Sequence, residues 1–283
     1  MSAGGAVSLE PFFLDGSQGR LFALEVAPES REAELGVLLC PPFAEELNRT
    51  RRAVQLAARR MAGAGCRVLI LDLHGTGDSA GELVQASWEG WRRDLEAGAA
   101  WLSARGSSRL ALWGVRLGAA HALELAAARP CEHLLLWQPV ASGALFLNQF
   151  LRLRVAADML AADGASSVDA LRAELASGAS VEIAGYVITP ALANAIAAVD
   201  LARFADAPLP TVDWIEAVAA ADRPMSVASR GLIERWQAAG RRVQARTAVA
   251  QPFWGTTEIV VPDAFLDETE RIVRGWTRAE SPA

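Results

Sequence analysis

The most distinctive feature of the sequence is an arginine, Arg116, at the centre of a glycine-flanked turn at residues 114–118 (Gly-Val-Arg-Leu-Gly). Residues 109–113 are a short apolar run and residues 121–128 are rich in alanine and leucine, so the turn joins a strand to a helix. At the end of that strand and above the helix N-terminus, the side chain meets an environment that favours anions. A guanidinium stays protonated and has no lone pair to offer, so Arg116 can bind a carboxylate or phosphate but cannot be a nucleophile.

Two adjacent acids, Glu45 and Glu46, follow an apolar run at 35–40 and are the predicted partners of Arg116. In one interpretation the pair is structural: a buried ion pair closes the pocket. In the other, Arg116, Glu46 and Trp254 line a cavity that binds a small anionic, acyl- or sugar-linked ligand, because arginine suits bidentate contacts and pockets are mostly apolar with a few polar anchors. Both interpretations predict that replacing Arg116 destabilises the fold.

Further candidates have simpler explanations. Trp137 and Trp214 could line the same cavity, although packing in the core is the simpler role for any single tryptophan. Three arginines, at 49, 51 and 52, are typical of a solvated helix start, where their charge opposes the helix dipole. A pairing with Glu45 or Glu46 would offset that repulsion.

Composition excludes several classes of function. The chain has 283 residues, 52% of them hydrophobic and 21% charged, which is typical of one large globular α/β domain. Its net charge of −6 argues against a nucleic-acid partner, and all 27 basic residues are arginine, which excludes a Schiff-base or P-loop lysine.

The three cysteines at 40, 66 and 131 lack metal-type spacing, so we expect reduced thiols, no metal and no cofactor. Neither a signal peptide nor a membrane span is predicted, which makes the cytoplasm the expected location. The sequence leaves the oligomeric state open.

The order of predicted elements indicates a doubly wound, mostly parallel sheet with an antiparallel N-terminal edge. The prediction rests on a hairpin at 9–14 and 21–26, a helix at 50–64 with Asn48 as N-cap, a helix at 88–104, and strands at 35–40, 66–73, 109–113 and 131–137.

After residue 139 the pattern becomes mainly helical. We predict a helical cap at 140–210, whose first helix, at 145–160, packs over the carboxyl end of the sheet, and a core formed by 1–139 and 211–283. The remaining core elements are predicted as a strand at 224–228, a helix at 229–240, a strand at 242–249 and a helix at 262–276.

The sequence resembles the α/β-hydrolase superfamily over essentially its whole length, and two motifs carry the resemblance. Residues 72–79 (Asp-Leu-His-Gly-Thr-Gly-Asp-Ser) are similar to its D-x-x-G-x-G-x-S loop, and 114–118 match its nucleophile elbow except at the centre. More narrowly, residues 41–52, 114–119 and 252–259 resemble the second type of hydrolase associated with exosortase A systems. That resemblance implies an α/β-hydrolase fold and a link to exopolysaccharide production and protein sorting.

The superfamily's catalytic triad does not carry over to this sequence. Arg116 stands at the nucleophile position, residues 229–231 (Ser-Arg-Gly) follow the strand predicted before the acid, and no histidine lies beyond His133 to serve as base. Only His74 is expected on the carboxyl face of the sheet, where we predict a turn residue hydrogen-bonded within its loop.

Two functions therefore compete. In the first, the protein is a hydrolase-fold binding or accessory protein that no longer performs serine hydrolysis. In the second, it is an ester or thioester hydrolase in which Glu45 or Glu46 acts as general base and Arg116 stabilises the oxyanion. The resemblance alone does not decide between them, because fold does not establish function.

Overall fold

The computed structural model describes residues 6–30, 32–161 and 166–278. Its strands, in chain order, are β1 (Val7–Gly16), β2 (Gly19–Pro28), β3 (Leu35–Cys40), β4 (Arg67–Leu71), β5 (Arg109–Val115), β6 (His133–Trp137), β7 (Val181–Ile183), β8 (Tyr186–Ile188), β9 (Thr211–Val218) and β10 (Val243–Val249). Its helices are α1 (Glu45–Gly63), α2 (Trp88–Ala104), α3 (Gly118–Ala128), α4 (Gly143–Ala161), α5 (Val168–Ala176), α6 (Pro190–Ala197), α7 (Val227–Ala238) and α8 (Asp263–Arg278).

Eight strands form one sheet in the order β1-β2-β4-β3-β5-β6-β9-β10. The pairs β1–β2 and β2–β4 are antiparallel, and the remaining pairs of this sheet are parallel. The predicted mostly parallel sheet with an antiparallel N-terminal edge is therefore confirmed. β7 and β8 form a separate two-stranded hairpin.

Helices cover both faces of the sheet, which explains why the central strands are apolar along their whole length. In β3, Val37 and Leu39 pack with α1 and α8 on one face, whereas Leu38 and Cys40 pack with α2 and α3 on the other. All four side chains are at most 1% exposed. Successive strand residues point to opposite faces, so both cores are supplied by the same short strand.

The prediction that Asn48 caps a helix starting near residue 50 is wrong. Helix α1 begins at Glu45, after Ala44, which makes no side-chain capping bond. Glu45 and Glu46 lie in the first turn, where negative charge complements the positive end of the helix dipole. Asn48 instead donates from Nδ2 to the hydroxyl of Tyr186 at 2.9 Å.

The strand predicted at 224–228 is also wrong, because the chain re-enters the sheet earlier, as β9. Two acids, Asp213 and Glu216, interrupt the apolar pattern of β9 although both are at most 4% exposed. Asp213 accepts from Arg246 and Trp276, and Glu216 accepts from the backbone N–H of Ser226. These internal partners allow the two acids to be buried in a strand that has neighbours on both sides, and the periodicity of the sequence does not reveal such partners.

Between β6 and β9 the chain folds into α4, α5, the β7–β8 hairpin, α6 and a 3₁₀ turn at Leu201–Phe204. Side chains of this segment, such as Phe150, Leu171 and Ile196, are buried in the same core as Leu38 and Leu123 of the sheet and α3. Across the described parts of the chain, no helix combines the length and hydrophobicity needed to cross a membrane.

Candidate functional site

The turn around Arg116 has the sharp geometry that its glycines predicted. A Cβ atom at Gly114 would lie 2.6 Å from the Cα of Ala119, and one at Gly118 would lie 2.2 Å from the carbonyl oxygen of Cys40. Only glycine fits at two such close approaches. Arg116 itself has φ = 54°, a left-handed conformation that is costly for a residue with a side chain.

The surroundings of Arg116 satisfy both its backbone and its charge. Its N–H donates to the carbonyl of Trp137 at 2.9 Å, which holds the turn against β6. Its Nε and Nη2 donate to Oε1 of Glu46 at 3.1 and 2.9 Å, and Nη1 donates to the carbonyl of Gln138 at 3.1 Å. The guanidinium carbon lies 4.7 Å from the ring centroid of Trp254, within the range of a cation–π contact.

Glu46 is held at a site where its charge is costly. Burial raises the pKa of its carboxyl, and the nearby positive charge and hydrogen bonds of Arg116 oppose that rise. Its second oxygen, Oε2, is buried and has no hydrogen-bond partner among the described residues. Buried polar atoms normally have a partner, so Oε2 is an exception that adds to the cost of burying this carboxylate.

A second ion pair lies beside the first. Arg49 donates from Nε to Oε1 of Glu45 at 3.1 Å and also donates to the carbonyl of Gly255 at 3.1 Å. The hydroxyl of Tyr186 donates to Oε2 of Glu45 at 3.3 Å. Glu45 is thus engaged by partners on α1 and β8, whereas Glu46 is the acid that contacts Arg116.

These residues border a cavity of about 240 Å³ between the sheet and α4. Its polar wall contains Arg116 and Glu46, and Trp254 stands beside them. Apolar side chains from the loop after β3 and from α4, namely Phe43, Phe146, Phe150 and Leu153, also line it, together with the polar Gln149 of α4. The site therefore combines a few polar groups with a hydrophobic surface, which is typical of small-molecule pockets.

The remaining predicted candidates lie elsewhere. Trp137 and Trp214 are fully buried: the Trp137 indole donates to Thr269 at 3.0 Å, and the Trp214 ring packs edge-on against Trp236. Of the arginines at the start of α1, Arg49 pairs with Glu45, whereas Arg51 pairs with the buried Asp72 at 3.0 Å. The motif loop at 72–79 is thereby anchored to α1.

The three histidine rings are packed in other places. The ring of His74 lies against Gly81, where a Cβ atom would come within 2.3 Å of it. His121 stacks on Trp88 with ring centroids 3.8 Å apart, and His133 stacks on Trp276 at 4.6 Å. His74 hydrogen-bonds through its backbone, donating to Asp94 at 2.9 Å and accepting from Trp91, and its Nδ1 has no partner in the part of the chain that the structure describes.

Several residues of the site were not predicted from the sequence. Gln138 follows β6, the strand next to β5, so the rule that carboxyl ends of parallel strands meet at one edge could have identified it. Its carbonyl accepts from Arg116, and its side-chain oxygen accepts from the N–H of Ala217 at 2.8 Å. Phe146 and Phe150 lie in the helix predicted at 145–160, but nothing in the sequence pattern distinguished them from its other apolar residues, and no local signal identified Tyr186.

In the superfamily that the sequence resembles, the triad acid and base follow the last two strands of the sheet, which here are β9 and β10. The sequence placed the acid position at residues 229–231, but these residues lie in α7. The loop that follows β9 is instead formed by residues 219–226. This loop carries Asp222, which is exposed. The loop after β10 carries Trp254, whose ring covers Arg116.

Comparison with known proteins defines the fold. No protein-family model matches the chain, and no curated protein matches it in sequence. Solved structures do. Est1E from Butyrivibrio proteoclasticus, with bound ferulic acid, has a TM-score of 0.69 and 12% identity, covering 94% of this chain and 97% of its own.

Two further structures agree. A serine hydrolase without a lid from Xanthomonas campestris has a TM-score of 0.59 and 17% identity, covering 98% of this chain and 96% of its own. Carboxyl esterase 2 from the fungus Tuber melanosporum has a TM-score of 0.63 and 13% identity, covering 99% and 88%. At these identities the likeness is one of fold, and this chain has the α/β-hydrolase fold.

Proposed function

We propose that this protein uses an α/β-hydrolase fold to bind a ligand at the Arg116 cavity and does not perform serine hydrolysis. The observation that carries the proposal is the side chain of Arg116 at the elbow tip, hydrogen-bonded to Glu46 and Gln138 and covered by Trp254. A guanidinium in this position supplies directed donors and no nucleophilic lone pair.

The positions around the tip support binding rather than covalent catalysis. A serine mechanism needs an imidazole within hydrogen-bond reach of the nucleophile and an acid to orient it. The histidine rings pack on Gly81, Trp88 and Trp276, and an indole covers the tip. The cavity nevertheless persists, with an apolar wall of three phenylalanines.

The biological setting is proposed from the sequence resemblance alone. Residues 41–52 and 252–259 resemble the exosortase A-associated group. Both segments contribute to the site, through Glu46 and Trp254. We propose that the protein acts as an accessory ligand-binding protein in an exopolysaccharide or exosortase A-type system.

One observation favours a second candidate, an ester or thioester hydrolase without a covalent intermediate. Glu46 lines the cavity beside Arg116, and burial raises the pKa of its carboxyl, which makes the carboxylate a stronger base. Arg116, hydrogen-bonded to the same carboxyl, would then stabilise a developing oxyanion.

Hydrolysis assays separate the two functions. Purified protein would be incubated with short- and long-chain acyl esters and thioesters, alongside Glu46→Gln and, as a matched control, Glu234→Gln on the exposed surface of α7. If the protein only binds its ligand, we expect no turnover above the uncatalysed rate with the wild type or with either variant. Turnover that disappears in Glu46→Gln but persists in Glu234→Gln would establish the hydrolase instead.

A fluorophosphonate probe tests the covalent mechanism separately. It reacts with activated serines, so we expect no labelled peptide by mass spectrometry. Specific labelling of a serine in the folded protein, lost on denaturation, would contradict the proposal and place a nucleophile outside the elbow.

A further inference from the structure

A second open cavity lies on a different side of helix α1 from the Arg116 cavity. It has a volume of about 550 Å³ and is bordered by α1, by strands β2 and β4, and by Ile259 of the loop after β10. We call this cavity the α1 groove. None of the described residues that line it also borders the Arg116 cavity. A ligand bound in the α1 groove would therefore leave Arg116 and Glu46 untouched.

The floor of the α1 groove is a part of the sheet that is only partly covered. Leu24 of β2 and Ile70 of β4 are paired in register, and both side chains line the groove and are partly exposed. Their neighbours Ala23 and Leu71, which point to the opposite face of the sheet, are fully buried. Ile259, at the rim, is 65% exposed. These apolar side chains remain partly in water, so covering them with a hydrocarbon chain is favourable.

Most polar side chains of the groove already have partners within the protein. Arg51 donates to both carboxylate oxygens of Asp72 at 3.1 and 3.0 Å, and Asp72 also accepts from the backbone N–H of Asp78 at 3.0 Å. Thr50 and Asn48 donate to a backbone carbonyl and to a tyrosine hydroxyl, respectively. The charge of the buried Asp72 is therefore balanced by Arg51.

Two polar side chains of the groove are free to contact a ligand. Arg52 and Gln55 are exposed and make no hydrogen bond or ion pair with the described residues. Because Arg51 and Asp72 are paired, Arg52 leaves the groove with one positive charge in excess. Residues three apart on a helix are neighbours on its surface, so the guanidinium and amide donors can reach the same group.

We propose that the α1 groove binds the monoanion of an aliphatic carboxylic acid, with the carboxylate on Arg52 and Gln55 and the hydrocarbon chain over Leu24 and Ile70. A guanidinium matches a carboxylate with two parallel donors, and one carboxylate balances the single excess charge. An alcohol with the same chain gives Arg52 no counter-charge, and an alkylammonium ion adds a like charge. This site is separate from the Arg116 cavity and does not depend on the function proposed for it.

Decanoate, decan-1-ol and decylammonium test the head group, because they share an unbranched chain and differ in charge. NMR of protein labelled at its isoleucine methyl groups reports the site, since Ile70 and Ile259 line the α1 groove and no described isoleucine lines the Arg116 cavity. The two signals are assigned from Ile70→Val and Ile259→Val. We expect both signals of the wild type to titrate with decanoate at about threefold or more lower concentration than with decan-1-ol, the ratio that an exposed ion pair supplies. Decylammonium should bind most weakly.

Several outcomes would overturn the inference. Equal affinities or a reversed order would refute the carboxylate head group. Decanoate that shifts neither Ile70 nor Ile259, or only other isoleucines, would refute the site. Shifts of Ile70 and Ile259 that follow the protein concentration without any probe would assign the groove to a second copy of this chain instead.

Two arginine variants test the contact itself. Arg52→Gln removes the excess charge, so decanoate and decan-1-ol should then titrate Ile70 and Ile259 at similar concentrations. Arg59→Gln removes the same charge from an exposed position about two turns further along α1 and outside the groove, so the preference for decanoate should persist. Loss of the preference in both variants, or in neither, would contradict the assigned contact. The methyl spectrum shows whether each variant is folded, and the comparison of probes on the wild type decides even if a variant is not.

Discussion

Arg116 combines an unfavourable backbone conformation with a well-satisfied side chain. Its φ of 54° lies in the left-handed region, and the contacts with Glu46, Gln138 and Trp254 involve the guanidinium from several sides. Such strain persists only where the surroundings hold the residue in place. At the residue scale, the ion pair with Glu46 is therefore a structural element as well as part of the proposed binding site.

Replacing one partner of this ion pair should leave the other charge unpaired, a cost that replacing both partners together avoids. We expect Arg116→Met and Glu46→Leu to lower the free energy of unfolding by about 2 to 3 kcal/mol each, somewhat less than the ~3–5 of a fully buried pair, because each leaves a mostly buried charge unpaired. The two side chains are 13% and 17% exposed. The double variant should lose less than the sum of the single losses, as measured by urea unfolding, and simple additivity would contradict a coupled pair.

The buried ring of His121 should make the free energy of unfolding depend on pH, independently of the Arg116 cavity. Its ring is buried against Trp88, and burial, with a smaller contribution from Arg92, lowers the pKa of the imidazole to about 3. Glu124 lies 3.8 Å from Nδ1 but already accepts hydrogen bonds from Trp88 and Arg203. The folded state therefore holds His121 neutral at pH values where the unfolded chain protonates it.

The sign of the pH effect follows from that difference. Above the unfolded pKa of 6.5 both states carry a neutral His121, whereas below it the unfolded chain binds a proton and stability falls as the pH is lowered toward about 3. Between pH 7 and 5.5 we expect His121 to account for a loss of about 1 kcal/mol. Urea midpoints at both pH values should show a smaller loss in His121→Phe than in wild type, and equal losses would refute the assignment.

At the scale of elements, the site is assembled where several connections meet. Arg49 on α1 binds the carbonyl of Gly255 in the loop after β10, which carries Trp254. Tyr186 on β8 donates to Glu45 on the same helix. Helix α1 thereby links the loop that covers Arg116 to the hairpin between α5 and α6.

The turn of this hairpin offers a way to stabilise one of those connections. Ala184 and Gly185 join β7 to β8 with φ values of 50° and 85°, as a two-residue type I′ turn requires. Asparagine adopts this conformation more readily than alanine, so Ala184→Asn should stabilise the protein by about 0.5 kcal/mol. The matched substitution Ala179→Asn, at an exposed residue before β7, should not raise the urea midpoint, and an equal gain there would exclude the turn as the cause.

At the scale of the whole molecule, the described residues between β6 and β9 share the core of the sheet. Leu151, Ile196 and Leu201 are fully buried in the same cluster as Leu38 and Leu112 of the sheet. A segment that buries its apolar side chains against the sheet loses that burial when the sheet unfolds. We therefore treat residues 140–210 as a predicted cap that depends on the core for its stability.

This arrangement predicts one cooperative unfolding transition. All nine tryptophans lie outside residues 140–210, so their fluorescence reports on the core, whereas hydrogen exchange of peptides from α4 and α6 reports on the segment. In urea the two signals should have the same midpoint. A lower midpoint for the α4 and α6 peptides would show that the segment unfolds independently.

Local sequence signals determined much of this molecule. The glycines at 114 and 118 predicted the sharp turn because no other residue fits at those close approaches. The apolar runs predicted β3 and β5, and the length and composition of 88–104 predicted α2, because these elements are specified by periodicity over a few residues. The sequence also singled out Arg116 and Glu46 by their types and their positions at strand ends.

Other features depended on contacts between distant residues and were decided only by the tertiary structure. β9 escaped prediction in part because the partners of its buried Asp213, Arg246 and Trp276, come from elements far along the chain. That Glu46 contacts Arg116 while Glu45 pairs with Arg49 depends on the first turn of α1. The apolar lining that Phe146 and Phe150 give the cavity exists only once α4 folds over the sheet, because a cavity is a property of the assembled molecule.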